Sequence, residues 1–392
     1  MTTTPDSPSA LAPYDTVLLL SFGGPEGPDD VMPFLRAVTA GRGVPDERLA
    51  EVAEHYHHFG GRSPINDQNR ALLASLRDEL DRRGLDVRVV WGNRNWQPYL
   101  VDVLRQVHAE GGRRVVAIMT SAYCSYSSCR QYREDLGAAL LTLADEGVRL
   151  DVDLQVDRIR PYFNHPAFVE PMVGSTRDAL ATLPAGSHVA FVTHSIPESM
   201  DAGSGPDGRA YSTEHLDLAR TIATALHRDG SDAHHTDGAP EAVSSEAAVP
   251  WSLVYCSRSG APHQPWLEPD VGDHLRALAE QQVPGVAVVP IGFVSDHMEV
   301  VYDLDTEAQE VAEEVGLPFV RAATVGTHPT FVSGLVDLLL ERAAQARGEQ
   351  PPQPVLGDLP PVHVVCPTGC CPNPRGVRPA ACGADWSPAV SA

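Results

Sequence analysis

Short apolar runs alternate with amphipathic segments along this sequence, and that alternation limits the fold more than any other feature. In the first half, apolar runs that predict strands occupy residues 16–20, 87–92, 115–120 and 150–159. The second half repeats the scheme with runs at residues 189–193, 252–255, 286–291 and 318–321. Strands that alternate with helices over short links are typical of parallel sheets covered by helices on both faces. The sequence therefore predicts an α/β protein built from two similar halves.

Length and charge narrow the functional classes. The chain has 392 residues, of which 43% are hydrophobic, so it is long enough for two domains with ordinary cores. Its formal net charge is −23. Nucleic-acid binding and electrostatic attachment to anionic lipid both need a basic surface, so the charge argues against both. An acidic protein of this kind instead attracts cations.

Three segments are not expected to belong to the two halves. Residues 1–13 have no basic or apolar part of a signal peptide, and no stretch approaches the roughly 18 apolar residues of a spanning helix. We expect a disordered leader and a cytoplasmic protein. Residues 229–250 are rich in Asp, Ser, Ala, Gly and His, which predicts a disordered insertion. A helix at 331–348 is expected to precede a Pro-rich linker and a tail at 349–392.

The tail concentrates cysteines. The chain has seven, an odd number, and four of them fall within the last 27 residues: Cys366, Cys370, Cys371 and Cys382. Disulfides rarely persist in a reducing compartment. The cluster therefore indicates metal ligation more than disulfide bonding.

A second chemical signal follows the apolar run at residues 286–291. Glu299, Asp303 and Glu307 recur at intervals of four, which would place three carboxylates on one face of a helix. Like charges so placed repel, and an ordinary surface helix would intersperse Lys or Arg. The pattern predicts either a site that binds or conducts a cation or a plain solvated acidic face, and this stretch alone leaves the two open.

Candidate groups also follow two other strands. His194 comes directly after the run at 189–193, at the sheet edge where ligands bind in open α/β folds. A histidine there is a good proton acceptor, and with Glu299 it predicts a site that binds a divalent cation and removes protons. A serine hydrolase using Ser195 is disfavoured because no G-x-S-x-G motif occurs. After the run at 115–120, Tyr126 and Tyr132 could line a flat aromatic ligand.

Ordered motifs across the chain resemble the ferrochelatase family, in its actinobacterial coproporphyrin type. They include LLLSFGGPEGPDDV at 18–31, HYHHFGGRSPIN at 55–66, TSAYCSYSSCRQYRE at 120–134, FVTHSIPESM at 191–200 and PIGFVSDHMEVVYDLDTEA at 290–308. The resemblance implies two Rossmann-like domains, at residues 14–165 and 166–330, each a four-stranded parallel sheet flanked by helices. It also implies a lyase-class chelatase of haem biosynthesis that inserts Fe2+ into coproporphyrin III and releases two protons. A protoporphyrin IX ferrochelatase and a non-catalytic haem or metal carrier are the alternatives.

The resemblance also assigns roles to individual residues. His194 would be the proton acceptor and an iron ligand with Glu299, while Asp303 and Glu307 would form a cation path. Ser63 and Tyr132 match positions that contact the porphyrin in relatives, and Phe22 and Tyr126 are further candidates for contacts with the substrate. Phe22 stands where firmicute relatives carry a tyrosine that can ligate iron, so no axial ligand is expected from it. Those relatives place a propionate-binding arginine near Thr39, and the sequence leaves open whether Arg42 replaces it.

Many actinobacterial members hold a [2Fe-2S] cluster, and the resemblance extends to it. The implied ligands are Cys129, Cys366, Cys371 and Cys382, with Cys370 as the alternative to Cys371. Free reduced thiols are the competing interpretation. The expected partners are the porphyrin, Fe2+ and downstream haem-pathway enzymes, without nucleic acid or stable membrane insertion, and the expected state is a monomer.

Overall fold

A computed structural model describes residues 9–150, 152–232, 249–259 and 264–387. In these residues the strands, in chain order, are β1 Thr16–Ser21, β2 Arg88–Asn93, β3 Arg114–Met119, β4 Gln155–Arg158, β5 His188–His194, β6 Trp251–Cys256, β7 Val286–Val289 and β8 Phe319–Arg321. The α-helices are α1 Pro28–Val38, α2 Asp46–His58, α3 Ile65–Arg82, α4 Leu100–Ala109, α5 Gln131–Asp145, α6 Pro166–Ala181, α7 Glu198–Ala202, α8 Ala210–Asp232, α9 Val271–Glu280, α10 Met298–Val301, α11 Gln309–Glu314 and α12 Pro329–Ala346. Two π-helical segments occupy Tyr126–Arg130 and Asp303–Ala308.

The chain divides into two compact units. Unit 1 comprises Met1–Tyr162, Thr327–Pro354 and Pro361–Ala392, and unit 2 comprises Phe163–Gly326 and Val355–Pro360. Each contains one four-stranded sheet, in the order β2-β1-β3-β4 in unit 1 and β6-β5-β7-β8 in unit 2. All neighbouring strands pair in parallel. The predicted α/β fold with two four-stranded parallel sheets flanked by helices is confirmed.

Burial of the central strands explains why the apolar runs fold this way. Every residue of β1 is buried, and so is every residue of β7. A strand covered by helices on both faces needs apolar side chains in both directions, which gives a continuous run instead of an alternating one. Because the strands are parallel, their carboxyl ends meet at one edge of each sheet. The loops that follow β1, β2 and β3, and those that follow β5, β6 and β7, are therefore grouped at those edges.

The leader is shorter than the sequence suggested. Residues 9–13, predicted as part of a disordered leader, form a turn in which Leu11 is completely buried. Arg347 fixes this turn by donating to the carbonyls of Ala10 and Ala12, at 2.9 and 2.6 Å. The prediction for 9–13 is therefore wrong, while residues 1–8 lie outside the described residues. Helix α8 continues to Asp232, and the rest of the predicted insertion, except its last two residues, also lies outside the described part.

Helix α12 and the cysteine tail belong to unit 1 instead of forming separate C-terminal elements. Buried charges hold the helix there. Arg160 Nε donates to Glu341 Oε1 at 2.9 Å, and these side chains are 0% and 7% exposed. A buried guanidinium needs such a counter-charge, so the helix cannot leave without a large penalty. No helix in the described residues is long and apolar enough to cross a membrane.

Candidate functional site

His194 ends β5 at the carboxyl edge of the unit 2 sheet. Its Nδ1 is hydrogen-bonded to the carbonyl of Ser195, and its Nε2 lies 3.5 Å from Glu299 Oε1. The His194 side chain is 31% exposed and that of Glu299 47%. With Nδ1 as the donor to a carbonyl, Nε2 is the nitrogen left for a proton or a metal ion. The structure thus brings together the two residues that the sequence predicted as a pair.

A buried polar network fixes the backbone behind His194. Tyr211 donates its hydroxyl to the His194 carbonyl at 2.8 Å, and Thr193 Oγ1 lies 2.8 Å from that hydroxyl and 2.9 Å from His215 Nε2. Burial lowers the pKa of His215 to about 3, so this imidazole is neutral at pH 7. Gly292 allows the close packing, because a Cβ there would lie 2.1 Å from Thr193 Oγ1. Tyr211 and His215 were not identified from the sequence. Two polar residues four positions apart occur in many buried helices, so their spacing gave no specific signal.

The two members of the pair shift each other's protonation. Burial alone would lower the pKa of His194, but the Glu299 carboxylate raises it to about 9. Burial alone would raise the pKa of Glu299, but His194 lowers it to about 2. At neutral pH the pair is therefore an imidazolium and a carboxylate. A cation that takes up the Glu299 carboxylate removes the charge that holds the proton on His194.

The acidic stretch after Glu299 does not form one continuous α-helix, so the predicted three-carboxylate face is wrong in its geometry. Helix α10 ends at Val301, and the chain continues as a π-helical turn in which the Glu307 N–H donates to the Tyr302 carbonyl at 2.9 Å. This turn is wider than an α-turn because each hydrogen bond spans five residues. Asp303 instead turns toward β6, where it accepts a hydrogen bond from Ser257.

These carboxylates are crowded and partly dehydrated. Burial, followed by the charges of Glu299 and Glu307, raises the pKa of Asp303 to about 7, although the Ser257 hydroxyl opposes the shift. Burial and the charges of Asp270 and Glu310 raise the pKa of Glu307. Raised pKa values in neighbouring carboxylates indicate that nearby cations do not balance their negative charges. A plain solvated face would not show these shifts.

A cavity of about 420 Å³ opens beside Asp303 and Glu307. Its acidic lining residues are Asp270, Asp303, Glu307, Glu310 and Glu314. One cation, Arg276, also lines it, and its guanidinium lies 3.7 Å from Asp273 and 3.6 Å from Glu314. Five carboxylates thus surround a space that is large enough for hydrated ions and that adjoins the His194–Glu299 pair through Asp303.

Unit 1 carries aromatic and cationic groups at its own carboxyl edge. Phe22 follows β1 and is half-buried, while Arg94 follows β2. The Arg94 guanidinium lies 4.3 Å from the ring centroid of Tyr132 and 5.6 Å from that of Phe22, and it is paired with Asp135. We call Phe22, Tyr126, Tyr132 and Arg94 the strand-end aromatic cluster. Tyr126 and Tyr132 are only 4% and 5% exposed.

Ser63 is also placed near this edge but is packed within its loop. It is 4% exposed, and its hydroxyl accepts a hydrogen bond from the Ile65 N–H at 3.5 Å. Gly24 packs directly against it, since a Cβ on that glycine would lie 2.8 Å from Ser63 Cβ. The hydroxyl therefore already has a partner inside the loop.

Four cysteine sulfurs meet in unit 1. Cys129 Sγ lies 4.0 Å from Cys371 Sγ, which lies 3.7 Å from Cys370 Sγ. The ligand atoms of His363, Cys366 and Cys370 are all within 4.8 Å of one another. Cys371 adopts a left-handed φ of 53°, and both members of the vicinal pair take part. His363 was missed by the sequence reasoning, although the spacing H-x2-C-x3-C was a visible signal.

Cys382 is placed differently from its prediction as a ligand. Its Sγ donates a hydrogen bond to the Val156 carbonyl at 3.3 Å. The sulfurs of Cys129, Cys366, Cys370 and Cys371 lie together, and we call these four the sulfur group. The tail turns at Cys371, and both vicinal sulfurs, of Cys370 and Cys371, lie with that of Cys129.

A buried arginine supplies positive charge to this sulfur group. Arg158 is 2% exposed, and its Nη2 donates to Cys366 Sγ at 3.2 Å. Its Nε has no hydrogen-bond partner, and within the described residues no carboxylate forms an ion pair with it. Hydrogen bonds from Cys129 and Cys370, together with the Arg158 charge, lower the pKa of Cys366. A buried guanidinium without a carboxylate needs an anionic partner, and thiolate sulfur is the group present.

Comparison with known proteins adds a family match. The family model described as ferrochelatase matches residues 14–343. A coproporphyrin III ferrochelatase of Streptomyces coelicolor is 56% identical over 383 residues, covering 95% of this chain and 97% of that protein. A coproporphyrin III ferrochelatase of Leifsonia xyli is 50% identical, covering 94% of each chain. A ferrochelatase of Rhodopirellula baltica is 45% identical, covering 93% of this chain and 95% of that protein.

Proposed function

The chain belongs to the ferrochelatase family, and from this premise we propose that it is a coproporphyrin III ferrochelatase. The reaction is insertion of Fe2+ into coproporphyrin III to give Fe-coproporphyrin III, with release of two protons. The observation that carries the proposal is the His194–Glu299 pair at the carboxyl edge of β5. It places a proton acceptor and a metal ligand against each other, which is the combination that metal insertion needs.

The geometry of the pair suits a metal ion. Two ligands of a tetrahedral ion with bonds of about 2.1 Å lie about 3.4 Å apart. The Nε2 to Oε1 distance is 3.5 Å, so an ion can contact both atoms with little movement. Carboxylate and imidazole are both ordinary ligands of divalent iron.

The pair provides an acceptor for one of the two protons that the reaction releases. A porphyrin has two pyrrole N–H groups, and both protons must leave as iron forms bonds to the ring nitrogens. Binding of Fe2+ at Glu299 removes the carboxylate charge that holds the resting proton on His194, so that proton leaves Nε2 for solvent and Nε2 can ligate the ion. Once iron moves from the pair to the ring nitrogens, the free Nε2 accepts one pyrrole proton, and the other passes to solvent. Asp303 and Glu307 line the acidic cavity beside the pair, and they provide a route on which hydrated cations arrive and protons depart.

The substrate assignment rests on several independent supports. The relatives named coproporphyrin III ferrochelatase cover almost the whole chain. Within the strand-end aromatic cluster of unit 1, Phe22 is half-buried and offers an apolar ring to a macrocycle. A carrier without catalysis would not need both His194 and Glu299, and both are present. We also propose that the protein acts in the cytoplasm, since a porphyrin with four carboxylates needs no membrane.

The sulfur group in unit 1 fits a [2Fe-2S] cluster as resident cofactor. Its proposed ligands are Cys129, Cys366, Cys370 and Cys371, whose sulfurs lie together. The buried Arg158 supports this assignment. Its guanidinium has no carboxylate partner among the described residues, and four thiolates around a cluster would provide the negative charge that balances it. When bound, the cluster supplies a covalent link between the tail and the π-helical turn that bears Cys129, and it is a group that can be reduced and oxidised.

The substrate assignment is tested by anaerobic Fe2+ insertion into coproporphyrin III and protoporphyrin IX, measured side by side with the purified protein. Protoporphyrin IX lacks two of the four carboxylates, and each lost charged hydrogen bond is worth about 1.5–3 kcal/mol. We therefore expect kcat/KM for coproporphyrin III to exceed that for protoporphyrin IX by about a hundredfold or more. A preference for protoporphyrin IX would overturn the substrate assignment and leave the metal centre in place.

A further inference from the structure

An arginine of the cysteine tail reaches the strand-end aromatic cluster of unit 1. Arg375 Nη2 donates to the Tyr126 hydroxyl at 2.8 Å, and its guanidinium carbon lies 5.6 Å from the centroid of that ring. Tyr126 is buried, whereas Arg375 is exposed. Arg375 of the tail therefore covers Tyr126, which the sequence analysis named as a candidate substrate contact, and presents an exposed guanidinium above that ring.

Positive charge is concentrated at this place. Arg42 lies within electrostatic range of Arg375, Arg94 and Asp135, and partial loss of water, followed by the charge of Arg375, lowers its pKa. Asp135 is already paired with Arg94. Within the described part of the chain, the Arg42 side chain has neither an ion pair nor a hydrogen bond. The carboxylate that acts on Arg42 is thus already paired with Arg94, on a protein whose net charge is −23.

Positive charge concentrated in this way favours the binding of an anion. Like-charged groups that remain close without counter-charges cost free energy, so a fold that keeps them together is suited to binding an anion. Guanidinium groups bind carboxylates through two parallel hydrogen bonds, and the planar fork gives this contact both strength and direction. Arg375 uses one nitrogen on Tyr126 and keeps its remaining N–H groups for a ligand.

The position of Arg375 depends on the sulfur group. Only three residues separate it from Cys371. The Arg375 N–H donates to Asn373 Oδ1, and Asn373 Nδ2 donates to Glu134 Oε2, both at 2.9 Å. Glu134 lies in α5, directly after the π-helical turn that carries Cys129. The segment from Cys371 to Arg375 is therefore held at its first residue by the sulfur group and in its middle by the hydrogen bond from Asn373 to Glu134.

We propose that Arg375 binds a carboxylate of the porphyrin's propionate side chains, and that the sulfur group completes this subsite by fixing the tail. The inference deepens the proposed function and rests on it. It gives the cysteine tail a part in substrate binding that does not require the cluster to change its oxidation state. Arg375 is thus a specificity-determining residue, carried by a segment that follows the second unit in the chain.

The test compares Arg375→Gln with Arg378→Gln, an exposed arginine of the same tail that contributes only its backbone carbonyl to a contact with Arg130. Porphyrin fluorescence gives the Kd for coproporphyrin III without iron, and anaerobic insertion gives kcat and KM. For Arg375→Gln we expect Kd and KM to rise about tenfold, as for loss of one charged hydrogen bond. The kcat at saturating porphyrin and the visible spectrum of the cluster should not change. Arg378→Gln should bind as the parent does, and equal Kd values for both variants would overturn the inference.

A double-mutant cycle tests the dependence on the sulfur group. If Cys129 fixes the tail, Cys129→Ser alone should weaken coproporphyrin III binding about tenfold, and adding Arg375→Gln should then change the Kd less than about twofold. A further tenfold loss in the double variant would refute the coupling. The binding readout also separates this inference from the proposed function. Tight binding that depends on Arg375 without iron insertion would contradict the enzyme assignment alone, whereas normal insertion with binding indifferent to Arg375 would contradict the subsite alone.

Discussion

Replacing His194 with alanine should lower the rate of iron insertion by about three orders of magnitude, within the range expected for loss of a positioned general base. His194 Nε2 is the atom that faces Glu299 in unit 2, and alanine removes both the proton acceptor and an iron ligand. Anaerobic single-turnover absorbance of the Soret band measures the rate. Coproporphyrin III binding, measured by fluorescence, should change less than about threefold because the change adds and removes no carboxylate partner.

Two further variants make the His194 result specific. Glu299→Gln should cause a loss of comparable size, since the neutral amide is a poor ligand for a divalent cation. Glu313→Gln is the matched control: this exposed glutamate lies in α11 and is hydrogen-bonded to Gln309, outside the pair. Added imidazole should restore part of the His194→Ala activity if the side chain acts as a base. Turnover of the alanine variant within about tenfold of the parent would refute the assignment.

Replacing Cys129 with serine should abolish the cluster, seen as loss of visible absorption and of bound iron and sulfide in the purified protein. Cys129 is the one member of the sulfur group that lies outside the tail, so its loss removes the anchor on the first unit. The residues of unit 1 whose positions depend on contacts with the tail should then become disordered. An unchanged visible spectrum would show that another side chain is the ligand.

The tail variants distinguish the two candidate ligand sets. Cys370→Ser should bleach the cluster because its sulfur lies 3.7 Å from that of Cys371. Cys382→Ser should leave the spectrum intact, since that sulfur is hydrogen-bonded to the Val156 carbonyl. Both are cysteines of the same tail, so each is the control for the other. The opposite pattern would restore the set predicted from the sequence.

The fold and the proximity of His194 and Glu299 were accessible from the sequence for a physical reason. Buried parallel strands leave continuous apolar runs, and the residue after each run is placed by the topology at the ligand-binding edge. His194 needed no long-range information, because its position at the end of such a run fixes its place. Glu299 follows the next strand in the sheet order, so the same rule brings it close.

Three features of the site could not be predicted from the local sequence: the π-helical turn, the cysteines that lie together and the contacts of two arginines. The wide π-helical turn at Asp303–Ala308 uses residue types that an α-helix also accepts, so spacing of four predicted one carboxylate face. The choice between Cys370 and Cys382 depends on how the tail folds onto unit 1, including the left-handed φ of Cys371. Arg158 and Arg375 were missed because their partners are far away in the sequence.

One measurement tests the central claim most directly: anomalous diffraction from crystals of the full chain soaked with Zn2+ as a redox-inert substitute for Fe2+. We expect a peak about 2.0–2.2 Å from both His194 Nε2 and a Glu299 carboxylate oxygen. Zinc bound at the cysteines would give a separate peak in unit 1 and would not affect this result. A zinc ion held by Asp303 and Glu307 alone, with His194 still bonded only to Glu299, would contradict the claim that this pair is the insertion centre.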